Sequence, residues 1–136
     1  MAIKDLNEME IIKVHKKCFD MLIFTANYVM NFFERAKQNN EIEKYTFTFE
    51  IYKNGYNIMI YSYGLPFNGD GICDYVYSIY ANVIDTNKVK IKLIFGGATN
   101  EFLLDTNDTF FESKIIEAIE GNIKQLDKFN KQLKAI

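Results

Sequence analysis

Apolar residues recur at helical spacing along the first part of the chain, and this pattern predicts one long helix over residues 5–38. Asp5 and Glu8 fit the start of such a helix, because an Asp-x-x-Glu pair can accept hydrogen bonds from the free amides of the first turn. Two neighbouring stripes of apolar side chains run along the helix. One contains Ile11, Cys18, Leu22, Val29 and Phe32, and the other contains Ile12, Phe19, Ile23, Ala26, Met30 and Phe33.

The combined stripe is widened further by Met21, Phe24 and Tyr28. A helix that is apolar nearly all round must be buried nearly all round. A single small domain has little material with which to cover both sides of it. We therefore expect one side of the 5–38 helix to pack on a sheet and the other side to pack on a second subunit, most simply in a two-fold dimer.

Strict alternation of apolar and polar residues over 45–51 predicts a half-buried strand, and a second strand of the same kind follows it. Asn54-Gly55 lies between the two strands and is a preferred dipeptide of the type I′ turn, whose central residues both need positive φ. This turn sets the register of the first hairpin and would place Ile51 opposite Ile58 on the core face.

A second hairpin is predicted over residues 74–84 and 89–95. A three-residue loop would set Val83 opposite Ile91, whereas a two-residue loop would set Asn82 opposite Ile91. The first alternative is preferred, because it keeps apolar side chains together on one face.

The Gly-Gly pair at 96–97 is interpreted as the end of the fourth strand, and residues 102–104 as either a short edge strand or a tucked loop. A capping box formed by Thr109 and Glu112, with Asp108 as the alternative cap, predicts a closing helix. The resulting fold class is α+β, with a long N-terminal helix, a four-stranded antiparallel sheet of two hairpins and a long C-terminal helix.

The sheet face opposite the core is predicted to be rich in tyrosine. Strand alternation places on it Tyr52, Met59, Tyr61, Tyr63, Tyr80, Lys90 and Lys92. Tyrosine rings with occasional lysines can stack on bases or contact a protein partner. The same pattern is compatible with a face covered by the second helix or by another subunit, and tyrosine is also a good strand former.

Composition limits the classes of function. The chain has 136 residues, 49% hydrophobic and 25% charged, which is typical of one globular domain, residues 1–136. Its net charge of −2 argues against a dedicated binder of duplex nucleic acid, which would carry a basic excess. Arg35 is the only arginine, so each copy can make at most one bidentate grip on a phosphate or a guanine edge.

The sequence also bears on the compartment. The start of the chain lacks the apolar centre of a secretory signal. The longest apolar stretch, residues 21–33, is too short to span a bilayer and contains Asn27 and Asn31. Cys18 and Cys73 do not form a disulfide framework and fit free thiols in a reducing cytoplasm. We therefore expect a cytoplasmic protein without a membrane partner.

The stretch NGDGICD, residues 68–74, has the glycines and aspartates of a ligand-binding loop. If Gly71 takes the sixth place of a calcium loop, Pro66 and Tyr77 fall at the first and twelfth places, where carboxylates are required. The stretch also lacks the lysine and the following helix of a phosphate loop. It is interpreted as a turn, with a weak cation site or a mobile flap as the alternatives.

Two further candidates are weak. His15 and Cys18 share one helix face, but two ligands do not close a zinc site, and Cys18 falls on the apolar stripe. Glu50 points from the tyrosine-rich face without a partner acid, which is insufficient for a hydrolase. We therefore expect no catalytic residue, no metal site and no cofactor.

These observations favour a small, non-enzymatic cytoplasmic binding protein of the inhibitor, immunity or adaptor type. It would act through protein–protein contacts as a homo-oligomer joined through the 5–38 helix. The alternative is a protein that sequesters a nucleotide-like ligand on the tyrosine-rich face, with Lys90 and Lys92 meeting its phosphate. An enzyme of unknown reaction is the second alternative.

Overall fold

The computed structural model describes the backbone of residues 3–64 and 73–134, and the side chains of residues 9–64 and 75–124. Its elements follow in the order α1 (Ile3–Gln38), β1 (Lys44–Tyr52), β2 (Gly55–Tyr63), β3 (Cys73–Asp85), β4 (Lys88–Phe95), β5 (Ala98–Asp105) and α2 (Phe111–Lys134). The strands form one antiparallel sheet in the order β1-β2-β3-β4-β5, so each strand pairs with its neighbours in sequence. The predicted α+β class is confirmed, but the sheet has five strands rather than four.

Helix α1 packs one side on the sheet. Its buried side chains are Val14, Cys18, Met21, Leu22, Thr25, Ala26, Val29 and Phe33. Asn40 follows the helix with a φ of 59°, the left-handed conformation of a helix C-cap. The amides of Asn40 and Glu41 donate to the carbonyl oxygens of Lys37 and Ala36, as in a Schellman motif. These bonds satisfy carbonyl groups that the end of the helix would leave free.

The first hairpin differs from its predicted register. Ile51 lies opposite Tyr56 rather than Ile58, and Tyr52 pairs with Gly55. The two-residue turn is therefore Lys53-Asn54, and neither residue has the positive φ that a type I′ turn requires. The register is shifted by two residues, an even number, so every side chain keeps the face that the alternation predicted.

The second hairpin also differs by two residues. Ala81 pairs with Ile91 and Val83 with Val89, so the predicted Val83–Ile91 pair does not form. The register shifts between Val83 and Asp85, where an extra residue forms a β-bulge. The side chain of Asp85 accepts a hydrogen bond from the Asn87 amide at 3.0 Å and so stabilises the tighter turn.

Strand β5 is the main correction to the predicted fold. Gly96 and Gly97 do not end the sheet, since their φ angles of 59° and 83° form a tight turn that returns the chain along β4. Ala98 consequently pairs with Phe95, and the pairing continues to the end of β5. The residues expected to form a short edge strand or a loop are thus part of an eight-residue strand.

Asp108, the alternative cap that the sequence left open, caps the turn that leads into helix α2. Its carboxylate oxygen Oδ1 accepts a hydrogen bond from the Phe110 amide at 2.8 Å, and Oδ2 lies 2.8 Å from Lys114 Nζ. These two bonds, that to Lys114 first, lower the pKa of Asp108. The cap fixes the start of α2 beside α1, where Phe24 and Phe111 meet edge to face at 5.7 Å.

Both helices cover the same face of the sheet. Ile60, Ile79 and Leu93 lie on this face and are fully buried beneath the helices. Asn122 of α2 reaches the same face and donates a hydrogen bond to the Tyr77 hydroxyl. The core therefore lies between the sheet and the helix pair, and no described helix lies on the other face.

Candidate functional site on the outer face of the sheet

The outer face is defined here as the side of the sheet that α1 and α2 leave uncovered. The strand registers arrange its side chains in rows across the strands. The central row is Glu50, Asn57, Tyr80, Lys92 and Glu101. On one side of it lies the row Tyr52, Gly55, Asn82, Lys90 and Leu103, and on the other lies Thr48, Met59, Ser78, Ile94 and Thr99. Tyr61 and Tyr63 follow along β2.

All seven residues predicted to share this face do lie on it, because the shifts in register were even. Tyr52 on β1 is the most open of the tyrosines, with 49% of its surface exposed. Tyr61, Tyr63 and Tyr80 are half-buried. Half-buried tyrosines are held in place by their neighbours and still present a ring to solvent, which suits them to recognition. Whether they bind a partner stays a prediction.

The aromatic part of the face lies on β1 to β3. The Tyr61 hydroxyl lies 3.3 Å from the Met59 sulfur, so these two side chains stand together on β2. Lys44 Nζ lies 5.3 Å from the centre of the Tyr63 ring at the end of the same strand pair. Such a cation–π contact at an exposed site contributes about 0.5–1 kcal/mol.

The two predicted lysines lie on the other side of the face, and the structure gives them a partner that the sequence did not. Lys90 Nζ and Lys92 Nζ lie 3.5 Å and 3.8 Å from the two carboxylate oxygens of Glu101. Glu101 belongs to β5, so its position could have been found only by reading Gly96-Gly97 as a hairpin turn. The carboxylate reduces the attraction that the two lysines can offer to an anion.

Glu50 accepts a hydrogen bond from a tyrosine two residues further along its own strand. The Tyr52 hydroxyl donates a hydrogen bond to Glu50 Oε2. This bond is the main cause of the raised pKa of Tyr52. The carboxylate and the phenol together make a polar end to the aromatic part of the face.

Two asparagines form the floor of the face. Asn57 is buried, and its Nδ2 donates to the carbonyl oxygen of Ile79 at 3.0 Å. The side chain of Asn82 lies over Gly55, where a Cβ atom would overlap Asn82 Oδ1. These contacts hold β2 against β3 beneath the tyrosines.

The remaining candidates from the sequence lie elsewhere. Residues 68–72 of NGDGICD are outside the described residues, as are the side chains of 73 and 74. Cys18 is fully buried, and burial raises the pKa of its thiol to about 12. A thiol in this environment is a poor nucleophile, which supports the packing role preferred for the His15–Cys18 pair.

An open groove of about 610 Å³ lies away from the outer face, between α1 and two turns of the sheet. Lys13, Lys16 and Lys17 line it from the helix, and Asn87 and Asn107 line it from the turns. Within the part of the chain that the structure describes, no three His, Cys, Asp or Glu side chains are grouped so that they could hold a metal ion. No described helix has both the length and the apolar character needed to cross a membrane.

Comparison with family models, curated proteins and solved structures finds no significant match to the chain. The outer face and the apolar residues that the fold leaves exposed are therefore the features that point to a function.

Proposed function

We propose that the chain is a small, non-enzymatic binding protein that recognises another protein through the outer face and works as a homo-oligomer. The observation that carries the proposal is the one-sided packing of the sheet. Both described helices lie on one face, and the opposite face presents tyrosine and methionine side chains without a described element over them. Protein interfaces are enriched in these residue types at their centres.

The distribution of charge on the outer face supports a protein partner. Tyr61 and Tyr80 lie on the inner strands β2 and β3, whereas the ion pairs of Lys90 and Lys92 with Glu101 lie toward the β5 edge. An aromatic centre with a charged margin is the usual arrangement of a protein interface. The paired charges would favour one orientation of the partner more than they would add affinity.

The homo-oligomer is supported by apolar residues that the monomer leaves exposed on its helix-bearing side. Ile11, Ile12 and Phe19 of α1 are exposed, and so are Phe47 and Ile51 of β1. Large apolar side chains that are exposed close together commonly mark a contact with another chain.

A nucleotide-like ligand is the second candidate function, favoured by the flat tyrosine rings beside Lys90 and Lys92. Rings of this kind can stack on a base with about 1–3 kcal/mol per base. The Glu101 carboxylate lies within 4 Å of both lysines and opposes the binding of a phosphate beside them. A protein partner is therefore the better supported proposal.

The experiment compares capture of partners from a cytoplasmic extract by the wild-type chain and by the double variant Tyr61→Ala, Tyr80→Ala. Phe110→Ala is the matched control, because it removes an exposed aromatic ring outside the outer face. We expect the wild-type chain and the control to retain the same protein and the double variant to lose it while remaining folded by circular dichroism. Equal capture by all three chains would contradict a role for the outer face.

The same chains separate the two candidate functions. Thermal unfolding in the presence of a series of nucleotides should be unchanged if the face binds protein. A rise in the unfolding temperature that depends on nucleotide concentration, and that disappears in the double variant, would favour the small ligand instead.

A further inference from the structure

Strand β1 is one edge of the sheet, and its backbone is open to pairing. Tyr52 of β1 and Gly55 of β2 flank a two-residue turn, so these two residues form a hydrogen-bonded pair. Because hydrogen bonding alternates along a strand, Phe47, Phe49 and Ile51 direct their N–H and C=O groups to the other side. Within the described chain no strand lies on that side. The open edge is nine residues, roughly 30 Å, long.

The side chains of these outward-bonding residues are also exposed. They belong to the helix-bearing face of the sheet, yet α1 lies mainly over β2 and β3 and covers these side chains only in part. Phe47, Phe49 and Ile51 are 56%, 41% and 70% exposed. Phe49 is backed by rings at 6.3 Å and 6.1 Å, those of Phe19 and Tyr56. The edge therefore combines free backbone groups with an ordered apolar cluster.

Edge strands usually carry features that prevent pairing, such as proline, inward-pointing charge or a bulge. Between residues 45 and 51, β1 has one charged residue, Glu50, and no proline, and its pairing with β2 is regular. The opposite edge differs in exposure, since on the helix-bearing face of β5 Phe102 is half-buried and Leu104 is buried. Of the two edges, β1 is the one suited to accept another strand.

We propose that two copies of this chain join through β1, antiparallel and about a two-fold axis at Thr48, to form one continuous ten-stranded sheet. The inference rests on the proposed homo-oligomer and names its interface, at the strand edge beside α1 rather than on the helix alone. A two-fold contact of this kind uses the same patch on both copies and closes after two subunits.

The sequence of β1 is complementary to itself in this register. With Thr48 opposite Thr48 of the second copy, Phe47 meets Phe49 on the helix-bearing face and Tyr45 meets Ile51. Every apolar residue on that face of the strand thus gains an apolar partner.

The charges at the ends of the strand agree with the same register. Glu43, just before β1, comes opposite Lys53 of the second copy, and the two-fold axis makes this contact twice. A shift of one residue in each strand would instead place Ile51 against the acidic Glu43, or Tyr45 against Lys53. The register centred on Thr48 alone satisfies both the apolar and the charged positions.

This arrangement has a consequence for the outer face. In a continuous sheet the outer faces of both copies lie on the same side, so their tyrosines form one extended surface. A partner with two equivalent sites could engage both copies, and the second contact would form at a high effective concentration.

The first test is a disulfide across the two-fold axis, made in a Cys73→Ser background; Cys18 is buried and is retained. Thr48→Cys would face itself in a non-hydrogen-bonded pair, where the separation of Cα atoms, about 4.5 Å, permits a disulfide. Thr46→Cys is the matched control, because its equivalent in the second copy would be four residues away along the strand. We expect mild oxidation to give a covalent dimer of the first variant only. Equal cross-linking of both variants, or of neither, would overturn the proposed register.

The second test is sedimentation velocity over a range of concentrations. Ile51→Lys replaces the apolar partner of Tyr45 in the second copy with a charged side chain on the strand edge, and it should raise the dissociation constant at least about tenfold. Leu103→Lys is the control at the opposite edge, where a residue that is 61% exposed should be replaced without effect on association.

The results of these experiments distinguish failure of the β1 interface from failure of the function proposed for the outer face. A wild-type monomer at all concentrations would overturn both the edge pairing and the homo-oligomer, while the capture experiment would still test the outer face. A wild-type oligomer that Ile51→Lys leaves intact would overturn the edge pairing alone and place the contact on α1.

Discussion

Asn122 of α2 donates a hydrogen bond from Nδ2 to the hydroxyl oxygen of Tyr77 on β3, at 2.9 Å. Both residues are buried, and Asn122 Oδ1 lies 3.5 Å from the side-chain nitrogen Nδ2 of Asn100 on β5. One side chain thus ties the closing helix to a central strand and to an edge strand. Since buried polar groups are costly without partners, this network favours one placement of α2 over others that would bury the same apolar area.

Replacement of Asn122 should destabilise the fold more than replacement of Tyr77. Asn122→Ala leaves the buried Tyr77 hydroxyl and the Asn100 amide without this partner, and we expect a loss of about 1–3 kcal/mol in the free energy of unfolding. Tyr77→Phe leaves the Asn122 Nδ2 group without this acceptor but keeps the contact with Asn100, so it should cost less, about 1 kcal/mol. Urea denaturation measures both, with Asn27→Ala on the exposed side of α1 as the control.

One result would contradict the stabilising role of the Asn122 hydrogen bonds. If Asn122→Ala and Asn27→Ala had the same free energy of unfolding, the contact would contribute nothing to the stability of α2. A double variant of Asn122 and Tyr77 would give the coupling between them, which we expect to be favourable.

Stability should fall at alkaline pH because of two buried acids. Burial raises the pKa of Tyr77 from 10.0 to about 12, against the opposing effect of the hydrogen bond from Asn122. Burial likewise raises the pKa of Cys18 from 9.0 to about 12. The folded state therefore holds both protons more tightly than the unfolded state. Their contribution to stability is complete below about pH 9 and is lost progressively as the pH rises toward 12.

Urea midpoints at pH 8 and pH 11 test this expectation. The wild-type midpoint should be lower at pH 11, and Tyr77→Phe should show a smaller decrease, because phenylalanine has no proton to lose. Equal decreases in the two proteins would show that Tyr77 does not contribute to the alkaline loss. Absorbance of tyrosinate against pH gives an independent measurement, in which Tyr77 should ionise after exposed tyrosines.

Gly55 and Gly121 should respond in opposite directions to replacement by alanine. A Cβ atom on Gly55 would overlap Asn82 Oδ1 and the carbonyl oxygen of Ala81, so Gly55→Ala must displace backbone between β2 and β3. We expect it to cost on the order of 2 kcal/mol or more. Gly121 lies within α2 with open space around the position of a Cβ, and Gly121→Ala should stabilise the helix by about 0.5–1 kcal/mol. Thermal and urea unfolding measure both changes, and a neutral Gly55→Ala would contradict the described contact.

The faces of the strands were predictable from the sequence, although the registers were not. Alternation fixes which side of a strand each residue occupies, and a shift of two residues preserves that side. Alternation therefore assigns Tyr61 and Tyr80 to the correct face, although the predicted register of each of their hairpins is wrong. The predicted register of the first hairpin depends on a type I′ turn at Asn54-Gly55, whereas Gly55 is required as a strand residue because Asn82 lies over it.

The failure to predict strand β5 has a different cause. Gly96-Gly97 can either end a strand or form the tightest hairpin turn, and local sequence does not decide between them. The alternation of Phe102 and Leu104 with the acidic Glu101 and Asp105 is the available indication of a fifth strand. Without β5 the position of Glu101 cannot be inferred, and the sequence alone leaves Lys90 and Lys92 free to meet a phosphate.

The ion pairs of Glu101 should contribute little to stability. The side chains of Lys90, Lys92 and Glu101 are between 38% and 47% exposed, so solvent screens their attraction. We expect Glu101→Gln to lower the free energy of unfolding by about 0.2–1 kcal/mol at low salt and by less at 1 M NaCl. Glu117→Gln, an exposed carboxylate on α2, is the control. A loss above about 2 kcal/mol, unchanged by salt, would mean that Glu101 holds β5 on the sheet by more than a screened surface attraction.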